Sequence, residues 1–212
     1  MEKIIHQIWV GEYKMPHKEA NFCNTIRNTN SDFKYMFWDK VPKLPTPLEK
    51  LCDGLVKHKE WVRVADLMRY FIVKEHGGLY IDCDYEQINR LESLNLQEYK
   101  GFIPLHYSKG ETICNSVFGF EKNHPIIEKV CDNMEYFVEE LPWLGPHFFG
   151  ESIKKYFNQD IEILDVNLDA MLCKEGIKTM HSRGEFKVKY LHHHYSYSWH
   201  PDNQKKMTKN ES

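Results

Sequence analysis

Asp82 and Asp84 stand one residue apart at the end of a short apolar run, in the stretch HGGLYIDCDYE from His76 to Glu86. On an extended strand, side chains two apart point to the same side. Held that way, both carboxylates would face one site, and their repulsion would be unfavourable without positive charge beside them. A divalent cation that favours oxygen ligands, magnesium or manganese, is the economical partner, and such ions also carry phosphate oxygens. The pair therefore suggests a metal–diphosphate site. Asp-x-Asp is also a common surface tripeptide of solvated turns, and it is the apolar lead-in and the double glycine that favour the site.

Asp66 and Arg69 lie three apart, on one face of a helical pattern that runs directly into this segment. Asp66 can accept from sugar or ribose hydroxyls, and Arg69 can donate to anionic or hydroxyl oxygens. An exposed i,i+3 ion pair is the plain alternative. The apolar neighbours Val62, Val64, Ala65, Leu67, Met68, Phe71 and Ile72 argue for burial instead, and buried charges need partners. Near the end of the chain, His192, His193 and His194 form a triplet. On a strand His192 and His194 share a face and His193 does not. Zinc is an alternative ion, but no cysteine is near the triplet in sequence and paired aspartates prefer harder ions. Cys83 reads as a thiol packed behind the site rather than a nucleophile, and His6 and His76 read as structural.

These residues need elements to position them. Lys3 to Trp9 reads as a buried strand, Pro16 to Thr29 as a helix and Phe33 to Trp38 as a second strand. Val41 to Pro47, with three prolines, reads as a loop or a turn into a short helix. Apolar spacing predicts a helix over Glu60 to His76, stopped by Gly77 and Gly78, then a strand over Leu79 to Asp82. Strands are expected at Gly101 to His106, Val117 to Glu121, Ile161 to Leu164 and Lys187 to His194, and helices at Pro125 to Glu140 and Pro146 to Asn158. The alternation argues for an α/β fold with a largely parallel sheet, whose ligands sit at the carboxyl ends of the strands.

With 212 residues the chain fits one domain over 1–200, followed by a polar tail over 201–212 expected to fray. The net charge of −3 gives no bulk attraction to nucleic acid or anionic membranes. Six cysteines without a CxxC pair read as reduced thiols. No run of about 18 apolar residues is present, so no membrane span is expected, and the expected setting is the cytoplasm or the side of an anchoring partner.

The order of the blocks IIHQIWVG, WDK, ADLMRYFIVKEHGGLYIDCD and HHHYSYSW resembles glycosyltransferase family 32, the group with a DXD sugar-binding region that includes yeast initiating mannosyltransferases. The clostridial glucosylating toxins share the pattern more distantly. The resemblance spans Ile4 to Trp199, and the central block is its most specific part. It implies a GT-A fold, a mixed and mostly parallel sheet flanked by helices, and a retaining, metal-dependent transfer of a hexose from a UDP-sugar or GDP-mannose. By the same resemblance Trp9 lies against the nucleotide base, while Asp66 and Arg69 hold ribose and donor sugar. Tyr80 fills the matching tyrosine position, Asp82 contacts ribose and sugar, and Asp84 binds Mn2+ or Mg2+ directly. His194 is then a second protein ligand of the metal, Ser198 and Trp199 touch the diphosphate, and Asn115 borders the donor sugar. The stretch LGPHFF matches a Gly-Pro segment on the acceptor side. Asp82, Asp84 and Arg69 carry the chemistry, and the acceptor is a glycan or glycoconjugate hydroxyl, as in polysaccharide biosynthesis. A metal-dependent phosphohydrolase and an inactive glycan-binding member of the fold are the competing readings.

Overall fold

The structure is a computed structural model, and it describes residues 1–94, 96–102, 105–106, 112–113, 115–136, 144–154 and 190–196. The chain forms β1 (Ile4–Ile8), α1 (His17–Thr29), β2 (Lys34–Trp38), α2 (Thr46–Lys57), α3 (Trp61–His76), β3 (Gly78–Ile81) and β4 (Tyr85–Gln87). Two short 3-10 turns then lead to β5 (Gly101–Phe102), β6 (Leu105–His106), β7 (Thr112–Ile113) and β8 (Val117–Phe120). Last come α4 (Pro125–Tyr136), α5 (Pro146–Lys154) and β9 (Leu191–His193). The expected strand at Ile161 to Leu164 and the polar tail lie outside the described residues.

The proline-rich segment is a loop that turns into a helix at Thr46, one of the two expected outcomes. Pro45 precedes α2 and Pro47 sits in its first turn, where a missing N–H costs nothing. Leu48, Cys52 and Leu55 then recur at helical spacing and are buried. The expected strand over Gly101 to His106 is divided because its halves have different partners: β5 pairs with β8, and β6 pairs with β7.

The main sheet has the order β2-β1-β3-β8-β5. β1 is parallel to β2 and to β3, whereas β8 is antiparallel to both β3 and β5. Four of its five strands therefore run in one direction and only β8 is reversed. β4 and β9 form a separate antiparallel ribbon. Helices α2, α3, α4 and α5 pack with Tyr80, Phe118 and Phe120 in one core, while Ile26 of α1 packs with Ile5, Leu79 and Ile81 in another. Alternate residues of β3 thus feed opposite layers, as expected of a central strand covered on both faces.

Gly77 and Gly78 let α3 pass straight into that strand. Their φ values are +66° and +96°, and a Cβ at Gly78 would stand 2.6 Å from the Ile4 carbonyl oxygen. A side chain here would separate β3 from β1 and displace whatever leaves the far end of β3. Among the described residues, no helix is long and apolar enough to cross a membrane.

Candidate active site

Asp82 leaves β3 with its N–H still donated to the Ser116 carbonyl (2.8 Å). Cys83 and Asp84 then form a turn, so the two aspartates converge through a bend and not through the pleat of one strand. The Cys83 thiol donates to the Ile8 carbonyl (3.2 Å), which ties the bend to the neighbouring strand. After it, β4 pairs with β9, placing Tyr85 opposite His193, and the His194 N–H reaches the Asp84 carbonyl (3.0 Å). A turn following the central strand is thereby joined to a segment more than a hundred residues later in the chain.

His193 Nε2 lies 3.2 Å from Asp84 Oδ1, and Asp84 Oδ2 accepts from the Ser196 backbone N–H (3.0 Å). The His193 ring stacks on Tyr85 at 4.3 Å between centroids and 10° between planes, with Tyr195 3.8 Å from the same ring. The Tyr85 hydroxyl is anchored to Ser116 Oγ at 2.7 Å. One ligand atom from each of Asp82, Asp84 and His193 falls within 4.8 Å of the others, a spacing one cation can bridge.

His194, the expected ligand, is directed elsewhere. Its Nε2 meets Glu86 Oε2 at 2.8 Å, its Nδ1 meets Lys18 Nζ at 3.1 Å, and its ring stacks on Phe22 at 4.6 Å. Strand alternation puts His192 and His194 on one face, but Asp84 lies in a turn and Tyr195 takes a φ of +47°, so alternation does not govern which ring meets the carboxylate. The triplet itself signalled the region; its register could not be read locally.

On the other side of Asp82, α3 contributes two buried charges. Arg69 meets Asp66 Oδ1 at 3.0 Å and Asp82 Oδ1 at 3.3 Å, and donates to the Asn115 carbonyl at 2.8 Å. Its guanidinium lies 4.7 Å from the Tyr80 ring centroid, and the Tyr80 hydroxyl donates to Asp82 Oδ1. The Asn115 amide donates to Asp66 Oδ1 (3.0 Å) and to the Tyr70 hydroxyl (2.8 Å), and Tyr70 donates on to the Leu144 carbonyl (2.8 Å). The structure thus brings Asp66, Arg69, Tyr80, Asp82, Asp84 and Asn115 together. Trp9 stands half-buried at the exit of adjacent β1, its indole N–H donated to the Tyr13 carbonyl (2.9 Å). Ser198 and Trp199 lie outside the described residues. His193, Ser196 and Tyr70 had no local sequence signal that set them apart.

The electrostatics separate the acids. Burial raises the pKa of Asp66, with Arg69 and the Asn115 amide opposing it. Burial also raises Asp82, Arg69 opposes, and the nearby charge of Asp84 pushes the same way as burial. Burial works to raise Asp84 as well, but the hydrogen bond and charge of His193, together with the Ser196 N–H, outweigh it and leave the carboxyl below its ordinary value. Arg69 stays firmly charged: burial disfavours its cation, and Asp82, Tyr80 and Asp66 more than compensate. An ionised Asp84 beside a like-charged neighbour and an imidazole is a donor set suited to a divalent cation.

Residues 16–100 match the family described as a glycosyltransferase sugar-binding region containing a DXD motif. A glycosyltransferase of Acanthamoeba polyphaga mimivirus is 30% identical over 184 residues, covering 76% of this chain and 70% of that protein. An inositol phosphoceramide mannosyltransferase of Schizosaccharomyces pombe is 27% identical over 147 residues, covering 64% of this chain and 38% of its own length. A mannosyl phosphorylinositol ceramide synthase of Saccharomyces cerevisiae is 26% identical over 216 residues, covering 97% of this chain and 53% of its own. The chain therefore spans about half or less of these two yeast relatives. Among solved structures, the PaToxG glycosyltransferase aligns with a TM-score of 0.60 at 18% identity, over 86% of this chain and 75% of that one. A glycosyltransferase involved in glycosylation of the major capsid of PBCV-1 aligns with a TM-score of 0.55 at 12% identity, over 97% and 98%. At such identities the likeness is one of fold, and the fold is the GT-A type.

Proposed function

The chain belongs to the glycosyltransferase family that carries a DXD-containing sugar-binding region, and from that premise we propose that it moves a hexosyl group from a nucleoside diphosphate sugar to a glycan or glycoconjugate hydroxyl, with a divalent cation at the DXD turn and retention at the anomeric carbon. The supporting observation is the approach of Asp82, Asp84 and His193 to within 4.8 Å, next to the Asp66–Arg69–Asn115 cluster.

Asp84 and His193, together with Asp82, would hold manganese or magnesium. When bound, such an ion supplies a Lewis acid for the diphosphate leaving group. Arg69, fixed against Asp82, adds preorganised positive charge where negative charge develops. Asp66 and Asn115 orient the sugar, Trp9 lies against the base, and Ser198 and Trp199 complete the diphosphate contacts. Retention follows if the acceptor hydroxyl attacks from the side the diphosphate leaves, giving its proton to the departing phosphate oxygen. Two yeast relatives are named for mannosyl transfer or mannosyl lipid synthesis, which makes GDP-mannose the first donor to try, followed by UDP-hexoses.

Donor hydrolysis by purified protein, with manganese and with chelator, tests the reading. Hydrolysis of one of these donors should require the cation, and Asp84→Asn should lower it roughly 100- to 1,000-fold. An undiminished rate in that variant would remove the metal role, and cleavage of simple phosphoesters in place of nucleotide sugars would replace the transferase reading with a phosphohydrolase.

A further inference from the structure

The two oxygens of the Asp66 carboxylate are in different circumstances. Oδ1 is committed to Arg69 and to the Asn115 amide, each at 3.0 Å. Oδ2 accepts no hydrogen bond among the described residues and faces Gly145. A Cβ built on Gly145 would meet nothing within 4 Å except this oxygen, at 3.6 Å. A carboxylate oxygen that no donor among the described residues occupies, bordering open space at Gly145, is free to accept from a ligand hydroxyl or N–H.

The opposing wall is held firmly. Gly145 caps α5, accepting from the Phe149 N–H (3.1 Å). The preceding carbonyl, Leu144, is gripped by the fully buried Tyr70, whose hydroxyl also receives the Asn115 amide. One phenol therefore fixes both the Gly145 wall and the asparagine that orients Asp66. The gap between them cannot widen without breaking that chain of bonds.

We propose that Gly145, in the LGPHFF stretch that the resemblance places on the acceptor side, is instead the size-selecting position of the donor-sugar subsite: its missing side chain reserves the space on Asp66 Oδ2 for one hydroxyl of the donor hexose, and Tyr70 sets the width of that space. The proposal rests on the transferase reading above. A hydroxyl oxygen bound to Oδ2 would lie about 2.7 Å from it, inside the contact distance a methyl group at residue 145 would occupy. The Gly145 backbone has no left-handed φ, so alanine is compatible with the fold there.

Calorimetric titration with manganese, using GDP-mannose, UDP-glucose, UDP-galactose and UDP-N-acetylglucosamine beside GDP and UDP, tests it. Gly145→Ala should weaken the sugar-bearing ligand about tenfold or more, as loss of a hydrogen bond to a charged group does, while the bare diphosphate binds within twofold of wild type. Tyr70→Phe should shift the same ratio in the same direction. Gly54→Ala, with no atom near its Cβ, is the control. Equal weakening of sugar-bearing and bare nucleotides, or none in either variant, would overturn the size-selecting role and leave the transferase reading intact. A wild-type chain that binds no nucleotide at all would overturn both.

Discussion

Two charged clusters meet at Asp82, and they are balanced in opposite ways. On the α3 side, one guanidinium faces Asp66 and Asp82 and fills its remaining reach with a backbone carbonyl. On the ribbon side, Asp84 has an imidazole and a backbone N–H, and full neutralisation there needs protonation or an added cation. The α3 cluster has its cation in place before any ligand arrives, with Asp66 Oδ2 left for a hydroxyl. The ribbon cluster, as proposed, is completed by a bound cation. That division fits the proposed donor site, with the preformed groups around Arg69 on one flank and the cation side on the other.

The largest expected effect comes from opening the closed cluster. Arg69→Met leaves Asp66 buried and Asp82 partly buried without their common counter-charge. Breaking such a pair by removing one partner costs roughly 3–5 kcal/mol. Asp82 keeps 27% of its side chain exposed, which solvates part of the orphaned charge and sets the expectation toward the lower end. Lysine is a poor substitute, because a compact ammonium cannot reproduce the planar fork that meets several oxygens at once. Denaturant unfolding at neutral pH measures the cost. A loss below about 1 kcal/mol, the range of exposed pairs, would mean that the α3 cluster is not closed in the sense argued above.

A histidine outside both clusters gives a reference for how burial acts on an imidazole. His6 is fully buried between neutral partners: its Nε2 lies 2.8 Å from the Gly77 carbonyl, and its Nδ1 accepts from the Trp38 indole N–H at 3.2 Å. Protonation would set two donors against each other at Nδ1. Burial, with smaller contributions from His76 and Lys34, lowers its pKa from 6.5 to about 4. The unfolded chain then binds more protons than the fold between these two values, so stability is intact above pH 6.5 and is lost as pH falls toward 4. The loss attributable to His6 is about 3 kcal/mol. His6→Phe should flatten that part of the profile, read from denaturant midpoints between pH 7 and pH 4.5. An unchanged slope would show that other groups carry the acid sensitivity.

How much of this was legible beforehand divides along the same line. Asp66 and Arg69 lie three apart on one helix, so spacing put them on one face, while Tyr80 and Asp82 entered the site through the resemblance. The double glycine likewise announced the passage from α3 into β3. The ribbon was another matter. Its geometry depends on β4 pairing with β9, and no local period specifies a contact of that range. The pleat argument brought Asp82 and Asp84 together for the wrong geometric reason, since the residues lie in a turn. The resemblance named His194 as the ligand, whereas the structure brings His193 to Asp84. The reversal of β8 was equally hidden, because a short apolar strand reads alike in either direction. The prolines before α2 were legible as a turn into a helix, which Pro45 and Pro47 at its start allow; the helix's extent to Lys57 was not.

The smallest effect is the most discriminating, because it separates neighbouring residues. His193→Ala removes the imidazole that faces Asp84 at 3.2 Å. His194→Ala removes one that is held by Glu86, Lys18 and Phe22. If the ribbon cluster is completed by a cation, manganese affinity in the presence of GDP should fall about 10- to 100-fold in the first variant, the range found when groups supporting a metal site are lost. In the second it should fall no more than a few-fold, because the Glu86 side chain is 45% exposed and an exposed pair contributes little. Manganese titration of both variants by calorimetry decides the matter. The reverse order would return the ligand role to His194 and mean that the ribbon shifts by one residue when the ion binds. Equal losses would mean that the segment acts through its backbone, with Ser196 and the β4–β9 pairing holding Asp84 in place.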